Sequence, residues 1–167
     1  MIKNKDIEKL QSLKGRLPEG KNRDQRTDHH DENRIIKTIR EDALTPRNLV
    51  ECAKELGELL VKRGLKSAKL RRIYDPVTTL KVKLRSILAK DESERAKELE
   101  NIRASLLFLK PKLKSESRRE KKVEPLANAL EAYIDRIIDS NDIKDYENFV
   151  NFFEAVVGYH KGLGGKD

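Results

Sequence analysis

The stretch SAKLRRIYDPVTTLKVKLRSI, residues 67–87, decides the fold class. Its large apolar residues Leu70, Ile73, Val77, Leu80, Leu84 and Ile87 recur by three and four. That spacing lines them up on one stripe of an α-helix, whereas a half-buried strand would need a period of two. Ser67 offers a side-chain cap just before the stripe. Pro76 stands inside it, where it removes one ladder hydrogen bond and crowds the preceding turn. Asp75 can cap a fresh start, so a kink or break is expected near Pro76.

The same period continues on both sides. In TPRNLVECAKELGELLVKRG, residues 45–64, Thr45 is the expected N-cap and Pro46 the first helical residue. Leu49, Ala53, Leu56 and Leu60 form its apolar face, and the helix is expected to stop at Gly64. A further helix is expected from Asp91–Ser93 through Leu99, Ile102, Leu106 and Leu109 to Pro111, followed by a weakly patterned basic segment, KLKSESRREKK. Leu126, Leu130, Tyr133, Ile134, Ile137 and Ile138 mark the next, which DSND ends. Asp142 caps the last, which ends at KGLGG.

The N-terminal part is less regular. Residues 1–13 are read as a short helix and 14–33, KGRLPEGKNRDQRTDHHDEN, as a linker or flexible arm, with a brief helix around RIIKTIREDA. No hairpin signal and no fixed-period repeat occurs. The expected architecture is all-α: a compact bundle of five or six helices, with a variable arm over 1–45 and the bundle domain over 46–163.

Composition agrees with helices around a thin core. Of 167 residues, 37% are hydrophobic and 40% charged. The single cysteine, Cys52, can form neither an internal disulfide nor a zinc site alone, and its helical apolar position reads as core. The opening MIKNKDIEKL has no apolar signal core, so a cytoplasmic protein is expected.

The net charge of +8 is unevenly spread. Residues 61–90 carry ten Lys or Arg against Asp75 alone, and 102–122 carry eight against Glu116 and Glu120. Residues 123–160 reverse this, with eight acids against Arg136 and Lys144. Solvated helix faces usually mix signs to gain pairs one turn apart. A one-sign surface instead suits a polyanion, and the acidic third suits a basic partner.

Catalytic motifs are absent: no P-loop, GxGxxG, GxSxG or HExxH. The cluster HHDE at 29–32 has metal-ligand types, and His30–Asp31 resembles the dipeptide of HD phosphohydrolases. Such sites need further spaced ligands, so the cluster is read as a polar loop, with no metal and no cofactor expected. His160 is read as a helix-terminal structural residue.

The basic segments fit nucleic-acid contact better. Arg71 and Arg85 project away from the apolar stripe, Lys69, Arg72, Lys81 and Lys83 flank it, and Lys66 joins them as an expected contact. Lys110, Lys112, Lys114, Arg118 and Arg119 form a second group. Few aromatics accompany them (Tyr74, Phe108), so phosphate contact is favoured over base stacking.

Three stretches in order carry a resemblance: SAKLRRIYDPV (67–77), LLFLKPKLKSESRRE (106–120) and FVNFFEAVVGYHK (149–161). Together they resemble motifs of the small subunit of type III-A CRISPR effector complexes, the Csm small subunit. The matching residues are Ser67, Leu70, Arg71 and Tyr74; then Leu109, Pro111, Lys112, Leu113 and Arg119; then Phe152, Phe153, Glu154, Ala155, Tyr159 and His160. Ser115 stands where the family has an aromatic, and residues 1–45 have no counterpart. The resemblance implies an all-helical, non-catalytic subunit. It implies several copies stacked beside the backbone and large subunits, with basic residues along the crRNA and target RNA.

In the last stretch Phe149, Val150, Phe153, Val156 and Val157 make one face, and Phe152 and Tyr159 widen it. A helix apolar over so much of its circumference is expected to be central. Phe152 and Tyr159 are also the candidates for meeting a neighbouring subunit. Two rivals to an RNA-binding subunit remain at this point. One is a helical adaptor whose basic face docks an acidic protein. The other is a hydrolase using His29, His30 and Asp31.

Overall fold

A computed structural model describes residues 19–41 and 44–167. The short helix expected in residues 1–13 lies outside them. The described residues form six α-helices and no strand: α1 Glu19–Glu41, α2 Pro46–Lys62, α3 Ser67–Leu88, α4 Glu92–Arg119, α5 Glu124–Ser140 and α6 Ile143–Gly162. One 3₁₀ turn, Lys121–Val123, leads into α5. The chain divides into two compact units, residues 1–30 and 31–167. The hydrophobic core lies in the second, with Ile35 and Ile39 of α1 among its members.

The caps follow the local chemistry. The Thr45 hydroxyl accepts from the Asn48 N–H at 3.2 Å, with Pro46 opening α2. Asp91 accepts from Glu94 N–H and Asp142 from Lys144 N–H, both at 3.0 Å. Each cap satisfies an amide that has no partner in its own helix.

The centre is α6. Tyr146, Phe149, Val150, Phe152, Phe153 and Val156 are all buried along it, as the broad apolar circumference predicts. Its most extensive packing is against α2, with further contact to α3 and α5. Close approach to α2 depends on Gly57. A Cβ there would lie 2.8 Å from Tyr159 Cβ and 3.2 Å from the His160 amide, so only glycine lets the two backbones come this near. Tyr133 of α5 meets Phe149 edge-on at 5.6 Å and Phe152 at 5.3 Å between ring centroids. Each such buried ring contributes about 2–3 kcal/mol. Cys52 is a buried core residue.

Four local expectations need correction. Residues 19–33 are not a flexible arm: they are the first part of the 23-residue α1. After Pro18 the segment has no proline to stop it, and buried Ile35 and Ile39 anchor the same helix. Pro76 does not break α3, which runs through it to Leu88. Nor does Pro111 end α4, which continues to Arg119. In each case proline removes one bond, to the carbonyl of Arg72 or Leu107. Both residues are exposed, so water can solvate the released carbonyl while buried Val77 and Leu113 hold the helix beyond. Finally, Ser67 is not the N-cap of α3. It is the first helical residue, after Lys66, and no side chain caps that end.

Candidate nucleic-acid interface

Helix α3 is buried along Leu70, Ile73, Val77, Leu80, Leu84 and Ile87. Its basic residues therefore fall on two flanks, and the structure treats them differently.

On the flank toward α6, Lys81 and Tyr74 are tied down. Lys81 donates to Glu154 Oε1 at 2.6 Å, and the Tyr74 hydroxyl donates to the same oxygen at 3.0 Å. The Tyr74 ring also packs edge-on against Phe153 at 5.2 Å. The Lys81 hydrogen bond holds the Glu154 carboxyl below its usual range, with the Tyr74 bond adding to it. Burial, then the bond to Glu154, pushes the Tyr74 phenol up to about 12. Arg85 lies nearby with Leu88, Glu147 and Asn151. Arg71, at the start of α3, is 3.9 Å from Asp167.

The flank toward α4 is open. Two adjoining depressions of about 180 and 120 Å³ run between α3 and α4, sharing Pro76, Leu109 and Lys112. Their floor is apolar: Ile73, Val77 and Leu80 from α3, Ile102, Leu106 and Leu113 from α4. Lys83, Lys112 and Arg72 stand along them, all exposed. Arg72 and Lys83 are eleven residues apart on α3, about 16 Å along its axis. One acid interrupts this rim: Glu116, held by Lys69. That hydrogen bond keeps the Glu116 carboxyl below its usual range. Phe108, 72% exposed, is the most exposed large apolar side chain among the described residues.

The expected contact residues thus divide into classes. Lys66, Arg72, Lys83, Arg85, Lys112, Lys114, Arg118 and Arg119 are exposed and in no ion pair within 4 Å among the described residues. Lys69, Lys81 and Lys110 are partly buried, paired with Glu116, Glu154 and Asp135, the last at 2.5 Å. Arg71 is exposed, with its long contact to Asp167. The acidic partners were not expected from the sequence. Glu154 lies eighty residues from Tyr74, and helix periodicity says nothing about such distant pairs.

Of the two candidates for a subunit contact, Phe152 is 0% exposed, enclosed by its own chain. It has no surface to offer a neighbour, because the face that widens the α6 stripe meets α5 within the bundle. Tyr159 keeps part of its surface.

HHDE lies on α1 and is not a loop. Glu32 accepts from Asn128 Nδ2 at 2.6 Å and lies 3.7 Å from Arg63, and Asp31 pairs with Arg34 at 3.6 Å. Among the described residues no three His, Cys, Asp or Glu side chains gather as metal ligands would. No described helix is long and apolar enough to cross a membrane.

Compared with known families, residues 43–166 match Csm2 Type III-A. No curated protein and no solved structure matches the chain. The match takes in α2 to α6, and with them both flanks of α3 and the whole of α4. The chain belongs to the Csm2 Type III-A family, the small subunits of type III-A CRISPR effector complexes.

Proposed function

We propose that this effector subunit is a non-catalytic RNA-backbone-binding protein, and that the open flank between α3 and α4 carries the contact. The supporting observation is the row of exposed, unpaired cations Arg72, Lys83 and Lys112 along one groove, with a single acid beside them. Lys114, Arg118 and Arg119 extend the positive surface along α4, and Lys66 extends it at the start of α3. Lys69, Lys81 and Lys110 hold the bundle together and supply field more than contact. Flexible cations on helices meet phosphates and do not read bases, so binding is insensitive to sequence. Guide–target pairing supplies the specificity, and this subunit tracks the crRNA and target backbone. Copies stack along the complex, with the acidic surface of α5 and α6 toward a basic neighbour and Tyr159 near that contact.

The test is affinity for single-stranded RNA across a salt series, for the full chain and for Arg72→Glu/Lys83→Glu/Lys112→Glu. Affinity is expected to fall by more than about tenfold, and the salt slope to flatten by about 2, at about 0.7 per lost contact. A wild-type chain with no salt-dependent RNA binding would sink the reading. Nuclease-insensitive capture of an acidic protein, without RNA binding, would favour the adaptor instead.

A further inference from the structure

The first turn of α3 is held from outside its own sequence. Its N-cap, Lys66, has an extended backbone and makes no side-chain cap. The Ser67 N–H, which has no partner within the helix, donates to the Lys166 carbonyl at 2.8 Å. The Ser67 hydroxyl donates to the Gly165 carbonyl at 3.2 Å. The Gly165 N–H in turn donates to the His160 carbonyl at 2.8 Å. The His160 ring, 1% exposed, donates from Nε2 to the Leu65 carbonyl at 2.8 Å, just before α3. A Cβ on Gly165 would overlap that ring and lie 2.7 Å from the His160 carbonyl oxygen.

These contacts form a closed circuit: the end of α6, the segment Gly164–Asp167, the first turn of α3, and the turn before it. Without Lys166 and Gly165, an uncapped helix end beside buried Leu65 and Ser67 would fray. Lys66 and Arg71, both exposed, stand on that end. Resting on the RNA-binding reading above, we infer that Gly164–Asp167 is a clasp, and that Ser67, His160 and Gly165 are positioning residues that set where these cations meet RNA. The Arg71–Asp167 approach is long and exposed, and adds little to the clasp. The work is done by backbone carbonyls, so the clasp depends on chain path and not on charge.

The test uses the full chain, a single-stranded RNA and two variants that open the clasp differently. Gly165→Ala drives a methyl group into the His160 ring. Ser67→Pro removes both donors that the segment receives, yet proline suits the first position of a helix and an extended Lys66 suits the residue before it. Each variant is expected to lose RNA affinity several-fold and to flatten the salt slope by about 0.7–1.4, the loss of one or two phosphate contacts. Folded variants that melt earlier but keep wild-type affinity and slope, measured well below melting, would overturn the inference. Should either variant unfold, wild-type hydrogen exchange decides: RNA is expected to slow exchange at residues 67–71, and no change there overturns the clasp. A wild-type chain that binds no RNA overturns the RNA-binding reading itself, and the clasp's role with it.

Discussion

The two flanks of α3 have similar sequences and different fates. Both carry lysines and arginines beside the same apolar stripe. Toward α6, Lys81 is engaged by Glu154, which also receives Tyr74. Toward α4, Arg72, Lys83 and Lys112 overlook an apolar groove and meet one acid, already held by Lys69. The difference comes from the neighbour. Helix α6 belongs to the acidic third of the chain and presents a carboxylate, whereas the facing part of α4 is itself basic. A cation count therefore overstates the surface available to a polyanion, and ion pairs decide which cations are free.

The comparison breaks most severely at the base of the paired flank. Phe153→Ala removes the ring beneath Tyr74 and leaves a cavity between α3 and α6. A loss of about 3–5 kcal/mol is expected in urea unfolding. A loss below about 1 kcal/mol would mean that this side of α3 is not packed as described.

A smaller effect separates the flanks by function. Lys81→Met should cost at most about 1 kcal/mol, because the pair is only partly buried, and should leave RNA affinity nearly unchanged. Arg72→Met should do the reverse, with stability within about 0.5 kcal/mol and RNA binding weakened. Equal loss of RNA affinity in the two variants would erase the distinction.

The smallest effect is the pH dependence of the paired carboxylates, one on each flank, and of Tyr74. The folded state holds the Glu154 and Glu116 carboxyls below their unfolded values. Their contribution is therefore present above about pH 4.5 and is lost as pH falls through the folded values. Tyr74 has the opposite sense: its contribution is full below pH 10 and is lost as pH rises toward 12. Denaturant midpoints across pH for Glu154→Gln should show a shallower acid decline than wild type. An unchanged decline would remove Glu154 from the account.

Much of the bundle was legible in residue order because its signals are local. The stripe of three-and-four spacing, Thr45 and Asp142 as caps, and the wide apolar circumference of α6 all act within a turn or two. The prolines were misread for the same reason. Locally Pro76 and Pro111 argue for breaks, but each costs one bond on an exposed side, and buried residues on both sides outweigh it. The polar run before Ile35 offered no period, so its helix could not be seen.

By itself, then, the sequence determined the all-α class, the central helix and the basic character of α3 and α4, because periodicity and charge are properties of neighbours in the chain. Only the tertiary structure decided which cations are free, that Phe152 faces inward, and that Ser67 is capped by Gly165 and Lys166. Those outcomes depend on residues from about twenty to a hundred positions apart meeting in space. Ion pairing and hydrogen bonding are decided by distance in space, and no pattern along the chain records it.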